Sequence, residues 1–259
     1  MKSITKLIVV AMLLAAALVV TPVAAARDIT LNGTTVYVGE ENVNMTDVFR
    51  TGIGGNGTLV YYSSVASETA ATIGKTVPVS NVSDFEFTAS DFGTLTGTWY
   101  AFSATNAGSR NNPSAANGSI LVEKPAVRLD VKLAGQPDSV NGKSVSRETK
   151  IVFEVEHNLA SLPGAAVNIE VTTPAGGTVT TFGNNSVNLK SFLLTGQKSS
   201  TSPIDLAGVQ AGTYTAIAKW PSGSDFYGKG FDSNTVTFEV TTKKLAITSD
   251  KDSVVRGKS

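Results

Sequence analysis

The 259-residue chain contains no cysteine and one histidine, His157. Disulfide bridges, thiolate metal sites and a lipid attached to an N-terminal cysteine are therefore excluded. A metal site that needs two histidines is excluded for the same reason. Stability must come from packed cores, backbone hydrogen-bond ladders, attached sugars, bound ions or contacts with neighbouring molecules.

The sequence also lacks the short motifs that mark common catalytic sites. No GxSxG elbow, HExxH zinc motif, Walker loop or GxGxxG following a strand occurs. The glycines of TGIGGNG, residues 51–57, precede a strand and so predict a flexible turn instead of a phosphate cradle. His157 continues the apolar face of a strand, which favours a structural role. We therefore predict no enzymatic activity and no obligatory cofactor, although a pair of carboxylates for glycoside hydrolysis would leave no motif.

Long hydrophobic runs are missing outside the first 26 residues. Residues 1–26 contain two lysines, an apolar run from Leu7 to Val20, a Thr-Pro breaker and three alanines. This order is typical of a cleaved secretory signal, and the apolar run is shorter than the about 20 residues of a membrane span. We expect secretion to the cell surface, with membrane contact only through the signal peptide or through an anchor beyond the C-terminus shown.

The charge balance excludes nucleic acid as a partner. Without the two signal-peptide lysines, 19 of the 21 basic residues remain against 21 acidic ones. A chain with this balance has no strongly basic surface for phosphate groups.

Alternation of apolar and polar residues predicts an all-β chain. In KIVFEVEH, residues 150–157, Ile151, Phe153 and Val155 share one face, whereas Glu154 and Glu156 lie on the other. Short β-branched or aromatic runs separated by turn residues indicate β-sandwiches. The other predicted strands are residues 59–62, 76–80, 98–103, 120–123, 127–133, 167–172, 178–182, 187–193, 213–220 and 235–241.

An internal repeat divides the mature chain. DFGTLTGTWYA, residues 91–101, matches DLAGVQAGTYTA, residues 205–216, and residues 120–131 align on residues 236–247. Trp99 and Tyr214 occupy the same place in the two copies, which predicts equivalent core anchors. We therefore expect tandem immunoglobulin-like modules at residues 27–126 and 127–242, joined by a short, stiff Lys-Pro linker.

A third match predicts that the protein continues. DSVNGKS, residues 138–144, recurs as DSVVRGKS, residues 252–259. Residues 243–259 are therefore expected to begin a third, truncated module of a longer tandem array.

Asparagine triplets predict modification by sugars. Turn-forming sequences such as NGT and NGS should lie on exposed loops. The candidate N-glycosylation sites are Asn32, Asn44, Asn56, Asn81, Asn117 and Asn184.

Two loops carry ligand candidates. In SDFYGKGFD, residues 224–232, Phe226, Tyr227 and Phe231 could stack on sugar rings, with calcium at Asp225 and Asp232; the alternative is a hairpin end whose aromatics fold back on the core. In VGEENVNMTD, residues 38–47, the candidate calcium ligands are Glu40, Glu41 and Asp47, and solvated acids are the alternative.

The segment TVYVGEENVNMTDVF, residues 35–49, resembles the mature N-terminus of archaeal, methanogen-type surface-layer glycoproteins and related secreted envelope proteins. The Gly-Thr-aromatic strands are similar to those of their tandem immunoglobulin-like domains. The resemblance implies an N-glycosylated structural protein that self-associates into an extracellular lattice. The near-neutral charge and the lack of an anchor in the sequence depart from many members of that group.

Two other functions remain open. A surface adhesin or an array of carbohydrate-binding modules would bind envelope glycans through loops such as residues 224–232. An enzyme with accessory β-modules would need its catalytic domain beyond Ser259.

Overall fold

A computed structural model describes residues 27–67 and 69–242 of the chain. The predicted signal peptide, residues 1–26, and the predicted third module, residues 243–259, lie outside the described residues. The chain divides into two compact units after Glu123. Unit 1 includes the segment Ser222–Tyr227, and unit 2 resumes at Gly228.

Unit 1 is built on a five-stranded sheet. The seven strands described in unit 1 are β1 (Arg27–Asp28), β2 (Thr34–Tyr37), β3 (Val43–Asn44), β4 (Gly57–Ser67), β5 (Ala70–Val79), β6 (Gly97–Ser103) and β7 (Gly118–Glu123). The sheet order is β2-β7-β6-β4-β5, in which β2 runs parallel to β7 and the other neighbours are antiparallel. The strands β1 and β3 form a separate parallel pair.

Single helical turns and loops pack against this sheet. They are α1 (Thr46–Phe49), α2 (Ala89–Phe92) and two 3₁₀ turns, Ala104–Ser109 and Pro113–Ala115. Phe92 of α2 meets Trp99 of β6 edge to face at 4.9 Å between ring centroids. Gly57 of β4 leaves room for Phe49, whose ring would be 2.4 Å from an added Cβ. Phe85 and Phe87, from the loop before α2, join Phe92 and Trp99 in one ring cluster. Beside the five-stranded sheet, the described residues of unit 1 form only the small β1–β3 pair and these turns, instead of the second large sheet that the sandwich prediction implies.

Unit 2 contains two larger sheets. Its strands are β8 (Val127–Leu133), β9 (Ser144–Ser146), β10 (Lys150–His157), β11 (Ala166–Thr172), β12 (Thr178–Val179), β13 (Thr181–Phe182), β14 (Val187–Asn188), β15 (Phe192–Leu193), β16 (Lys198–Ser200), β17 (Ile204–Asp205), β18 (Gly212–Lys219) and β19 (Val236–Thr241). One sheet has the order β12-β11-β18-β19-β9, with β15 also on β11, and the other groups β8, β16 and β17 around β10. The rings of Phe153 in β10 and Phe238 in β19 meet at 6.2 Å, so apolar faces of the two sheets share one core.

The strand β10 follows the predicted alternation. Ile151, Phe153 and Val155 are fully buried, whereas Glu156 is exposed. Burying one face of an antiparallel strand fixes its register, because a shift of one residue would expose the whole apolar set. The all-β prediction is therefore confirmed for the described residues, in which helices are limited to short turns.

The two units share a strand arrangement. In each, an antiparallel pair carries a buried aromatic residue, and a short earlier strand runs parallel to the last strand. Trp99 lies opposite Ile120, and Tyr214 lies opposite Phe238. By strand pairing, Ile120 of unit 1 therefore corresponds to Phe238 of unit 2, whereas the sequence alignment places Ile120 on Val236. The difference of two residues keeps the same face buried, because strand side chains alternate with period two.

Candidate functional site

The six sequon asparagines lie at accessible positions. Asn32, Asn56 and Asn184 are exposed, and Asn44, Asn81 and Asn117 are half-buried. Asn32, Asn56, Asn81 and Asn184 lie in turns or loops between strands, whereas Asn44 ends β3 and Asn117 directly precedes β7. Five of the six belong to unit 1.

Two of these triplets adopt the same local hydrogen-bonded turn. In one, the Ser83 N–H and hydroxyl both donate to Asn81 Oδ1, at 3.1 and 2.7 Å. In the other, the Thr46 N–H and hydroxyl donate to Asn44 Oδ1, at 3.1 and 2.6 Å. The acceptor asparagine and the sequon hydroxyl are thus held together, with the side-chain amide nitrogen turned away from this bond.

The amide nitrogens of these two asparagines differ in their surroundings. Asn44 Nδ2 donates to Asp28 Oδ1 at 2.8 Å, which ties it to the neighbouring strand β1. The Asn81 side chain makes its hydrogen bonds through Oδ1 alone within the described residues. Attachment of a sugar at Asn81 therefore uses an amide nitrogen that makes no hydrogen bond to a described residue, whereas attachment at Asn44 uses the nitrogen that donates to Asp28.

The predicted calcium ligand Glu40 is engaged by an arginine. Arg27 Nη1 donates to both carboxylate oxygens, at 2.7 and 2.8 Å, and the Tyr37 N–H donates to Oε1 at 2.6 Å. Burial raises the pKa of the Glu40 carboxyl, while the Arg27 charge and hydrogen bonds act in the opposite direction. Glu40 is thus the buried partner of Arg27, and both of its oxygens are already occupied.

The remaining acidic candidates are not gathered into a ligand set. Asp47 lines a depression of about 220 Å³ together with Asp28. The Asp225 carboxylate accepts the Glu41 N–H at 3.1 Å within unit 1, whereas Asp232 belongs to unit 2 and accepts the Trp220 N–H at 3.1 Å. Over the two described stretches of chain, no three histidine or acidic side chains converge as metal ligands. Calcium binding stays a prediction from the sequence.

The structure separates the three aromatic residues of the predicted ligand loop. Phe226 is buried within unit 1, as the fold-back alternative expects. Tyr227 is 58% exposed, and Phe231 is half-buried in unit 2. The loop therefore does not present its aromatics as one platform, and Phe231 and Tyr227 are the two that solvent can reach.

Phe231 lines an open cleft of about 430 Å³ in unit 2. The cleft forms where the start of β8, the end of β10 and the loop before β19 come together. Its polar and aromatic lining consists of Arg128, Glu156, His157, Asn158, Phe231 and Asp232. An aromatic ring beside carboxylates, an amide and a guanidinium is suitable for a polar ligand with apolar faces, such as a sugar.

His157 lines this cleft as a buried residue. Its side chain is 6% exposed, and Nδ1 accepts the Leu159 N–H at 3.2 Å. Burial lowers the pKa of His157, and the nearby Thr195 backbone acts in the opposite direction. The ring is thus held neutral and structural, which agrees with its predicted place on the apolar face of the strand.

Sequence reasoning missed a surface formed by β4 and β5. Residues 57–61 of β4 pair with both β5 and β6, whereas residues 62–67 pair only with β5. The hairpin therefore extends beyond the five-stranded sheet as a two-stranded arm. The sequence predicted only the first part of β4, residues 59–62, and the last part of β5, residues 76–80, because the Ser- and Ala-rich residues 63–72 between them show no clear alternation.

A family model covers residues 32–244, which include nearly all of both units. Its description is a domain of unknown function, DUF3821. The chain belongs to this family. No curated protein matches the chain.

No helix within residues 27–67 and 69–242 is long and apolar enough to cross a membrane.

Proposed function

We propose that this DUF3821 protein is a structural cell-surface glycoprotein, of the surface-layer or a related envelope type, that self-assembles outside the cell and performs no catalysis. The observation that carries the proposal is the position of the sequons. Each of the six acceptor asparagines lies at an exposed or half-buried position, while apolar and aromatic side chains fill the cores. A glycan at any of them would point to solvent without disturbing a core.

The architecture supports the same role. In this proposal both units are immunoglobulin-like modules: unit 2 keeps two facing sheets, and unit 1 replaces one of them with helical turns. Tandem β modules with ladders and aromatic cores resist extension and proteolysis, which suits an envelope that bears load. The secretory signal predicted for residues 1–26 and the resemblance of residues 35–49 to archaeal envelope proteins support a role at the cell surface.

The test is to purify the protein from its native envelope. Its intact mass is measured before and after enzymatic or chemical removal of sugars, and the assemblies that it forms are imaged by electron microscopy. We expect a sugar-dependent loss of mass and ordered sheets or filaments. A sugar-free, monomeric protein would contradict the proposal.

The cleft of unit 2 favours a second candidate, a surface adhesin or carbohydrate-binding module. This function predicts saturable binding to envelope polysaccharide that Phe231→Ala weakens. Tyr227→Ala is the matched control, because Tyr227 is an exposed aromatic in the same loop but does not line the cleft. Equal binding by both variants would remove the cleft from consideration, and a selective loss in Phe231→Ala would favour the adhesin.

A further inference from the structure

The strand β5 ends the five-stranded sheet of unit 1 with an open edge. β5 is the outermost strand and pairs only with β4. Its exposed residues alternate with half-buried ones through residues 70–76, and Ile73 packs beside Tyr62 in a small apolar cluster. An edge strand of this length leaves a row of backbone donors and acceptors available to another strand.

The direction of each backbone group follows from the pairing. The Ala71 N–H points away from β4, because it donates to the Asn111 carbonyl at 3.0 Å. Alternation along the strand puts the Ile73 N–H on the same outer edge. The irregularity at Gly74 shifts the alternation by one residue, so the Thr76 N–H also faces outward. Pro78, two residues on, has no N–H and closes the edge there.

The edge strand β8 of unit 2, in contrast, has hydrogen-bond partners on its outer side. The outer side of β8 is covered by Asn234, whose side-chain amide accepts the Leu129 N–H and donates to the Leu129 carbonyl, both at 3.0 Å. The Val140 N–H also donates to the Val131 carbonyl. Within the described residues, residues 72–77 of β5 have no comparable backbone partner on their outer side.

We propose that the outer edge of β5, residues 72–77, pairs antiparallel with the same edge of a second copy of this chain. A two-fold axis between Ile73 and Thr76 places each of these residues opposite the other residue in the second copy, so outward donors meet outward acceptors. Lys75 is the single charge in this stretch, and it lies opposite Gly74 of the second copy. Its amine already donates to the Ser90 carbonyl at 3.2 Å, away from the edge.

Charge and symmetry select this partner. Residues 72–77 contain one lysine, whose amine already donates to the Ser90 carbonyl, and no acid, so recognition at this edge rests on backbone bonds and small side chains. Antiparallel self-pairing gives hydrogen-bond partners to the outward backbone groups of both copies in a single contact. It also keeps the two Lys75 side chains from lying directly opposite each other. The inference rests on the proposed function, since it supplies one contact of the lattice, and it makes a closed dimer the smallest unit of assembly.

Thr76→Pro is the decisive variant. Proline removes the outward N–H but leaves the ladder to β4 intact, as Pro78 does in the native chain. Thr76→Ala is the matched control, because it loses the exposed side chain and keeps the N–H. Self-association of the secreted chain is measured by sedimentation velocity over a range of concentrations. We expect association of wild type and Thr76→Ala, and at least about tenfold weaker association of Thr76→Pro, since two symmetric hydrogen bonds are lost.

Hydrogen exchange on the wild-type chain gives a second measurement that needs no variant. The Ile73 and Thr76 amides should exchange more slowly at high concentration than at low concentration, while the Val65 amide should not change. Association of Thr76→Pro equal to wild type, or exchange at Ile73 and Thr76 independent of concentration, overturns the inference.

The outcomes separate this inference from the function on which it rests. Glycosylated lattices that persist in Thr76→Pro remove the β5 contact and keep the envelope role. Dimers that depend on the Thr76 N–H, in a protein without sugars or lattice, keep the contact and remove the envelope role. A chain that stays monomeric at every concentration contradicts both.

Discussion

Arg27 holds Glu40 through a two-oxygen contact at the edge of the unit 1 sheet. Its Nη1 lies 2.7 and 2.8 Å from the two carboxylate oxygens, and its Nη2 donates to the Thr35 carbonyl at 2.7 Å. The Glu40 side chain is 2% exposed and the Arg27 side chain 16%. The ion pair therefore connects β1 with β2, the edge strand that pairs with β7.

Removal of Glu40 should strongly destabilise unit 1. Glu40→Ala leaves the Arg27 charge in a largely buried place without its partner, at a cost of about 3–5 kcal/mol. The free energy of unfolding is measured by urea denaturation in a Trp220→Phe background, where Trp99 is the remaining tryptophan and reports on unit 1. Glu156→Ala in unit 2 is the control, followed by Trp220 fluorescence in a Trp99→Phe background, because its pairs with Arg128 and Lys198 are about half exposed and should contribute at most about 1 kcal/mol. Equal effects of the two substitutions would disprove the buried role of Glu40.

The same carboxyl predicts a pH dependence in unit 1. Burial raises the native pKa of Glu40 above its ordinary value of 4.5. The native state then binds this proton more tightly than the unfolded state, so the contribution of Glu40 to stability decreases as the pH rises from 4.5 through the raised pKa. Glu40→Gln should flatten this part of the curve of unfolding free energy against pH. A curve that keeps its slope in Glu40→Gln would assign the dependence to other groups.

Unit 2 should show the opposite dependence through His157. Burial lowers the native pKa of this ring below 6.5, and protonation of Nδ1 would abolish its bond from the Leu159 N–H. The unfolded state then binds the proton more tightly, so stability is present above pH 6.5 and is lost as the pH falls toward the lowered pKa. The loss is at most about 1.4 kcal/mol per pH unit. His157→Gln should abolish it when unit 2 is followed by Trp220 fluorescence in a Trp99→Phe background, and an unchanged pH profile would contradict the assignment.

Asn234 should protect the edge of β8. Asn234→Ala removes the two bonds to Leu129 and should lower the unfolding free energy of unit 2 by about 1–2 kcal/mol. It also exposes the strand edge, so we expect faster aggregation on storage, measured by light scattering. Asn234→Asp retains the acceptor for the Leu129 N–H and should show an intermediate effect. Indistinguishable behaviour of both variants and wild type would show that water replaces the side chain without loss.

Trp99→Ala and Tyr214→Phe should differ in how much they lower the free energy of unfolding. Trp99 is fully buried among Phe92 and Tyr61, and Trp99→Ala should cost unit 1 about 3–5 kcal/mol. Tyr214→Phe keeps the stacked contact with Phe238 and removes the hydroxyl that donates to the Gln210 carbonyl at 2.7 Å, at a cost of about 1 kcal/mol. Differential scanning calorimetry should therefore show a large shift in one transition and a small shift in the other. A large loss in Tyr214→Phe would mean that the hydroxyl, and not the ring, anchors unit 2.

Local patterns in the sequence predicted most of the longer strands, but not the short strands β1, β3, β9, β16 and β17, nor β2. The alternation at Ile151, Phe153 and Val155 determines which face of β10 is apolar, since strand side chains point alternately to opposite sides. The Gly-Thr-aromatic repeat likewise predicted that Trp99 and Tyr214 are core residues. The sequons of the turns were recognisable from three residues each, and His157 from its place on an apolar face.

Tertiary structure alone decided which of these residues meet. The sequence predicted a solvated or calcium-binding acid at Glu40. The fold instead brings Arg27, thirteen residues away, within hydrogen-bond distance of both carboxylate oxygens. Phe226 and Phe231, five positions apart in one loop, lie in different units, and Phe231 joins Arg128 and His157 in a cleft. The open edge of β5 follows from its place as the outermost strand of the five-stranded sheet. These contacts depend on pairing between distant segments, and the register of that pairing is set by the whole core. The alternation that identified the strands is, in contrast, a property of adjacent residues.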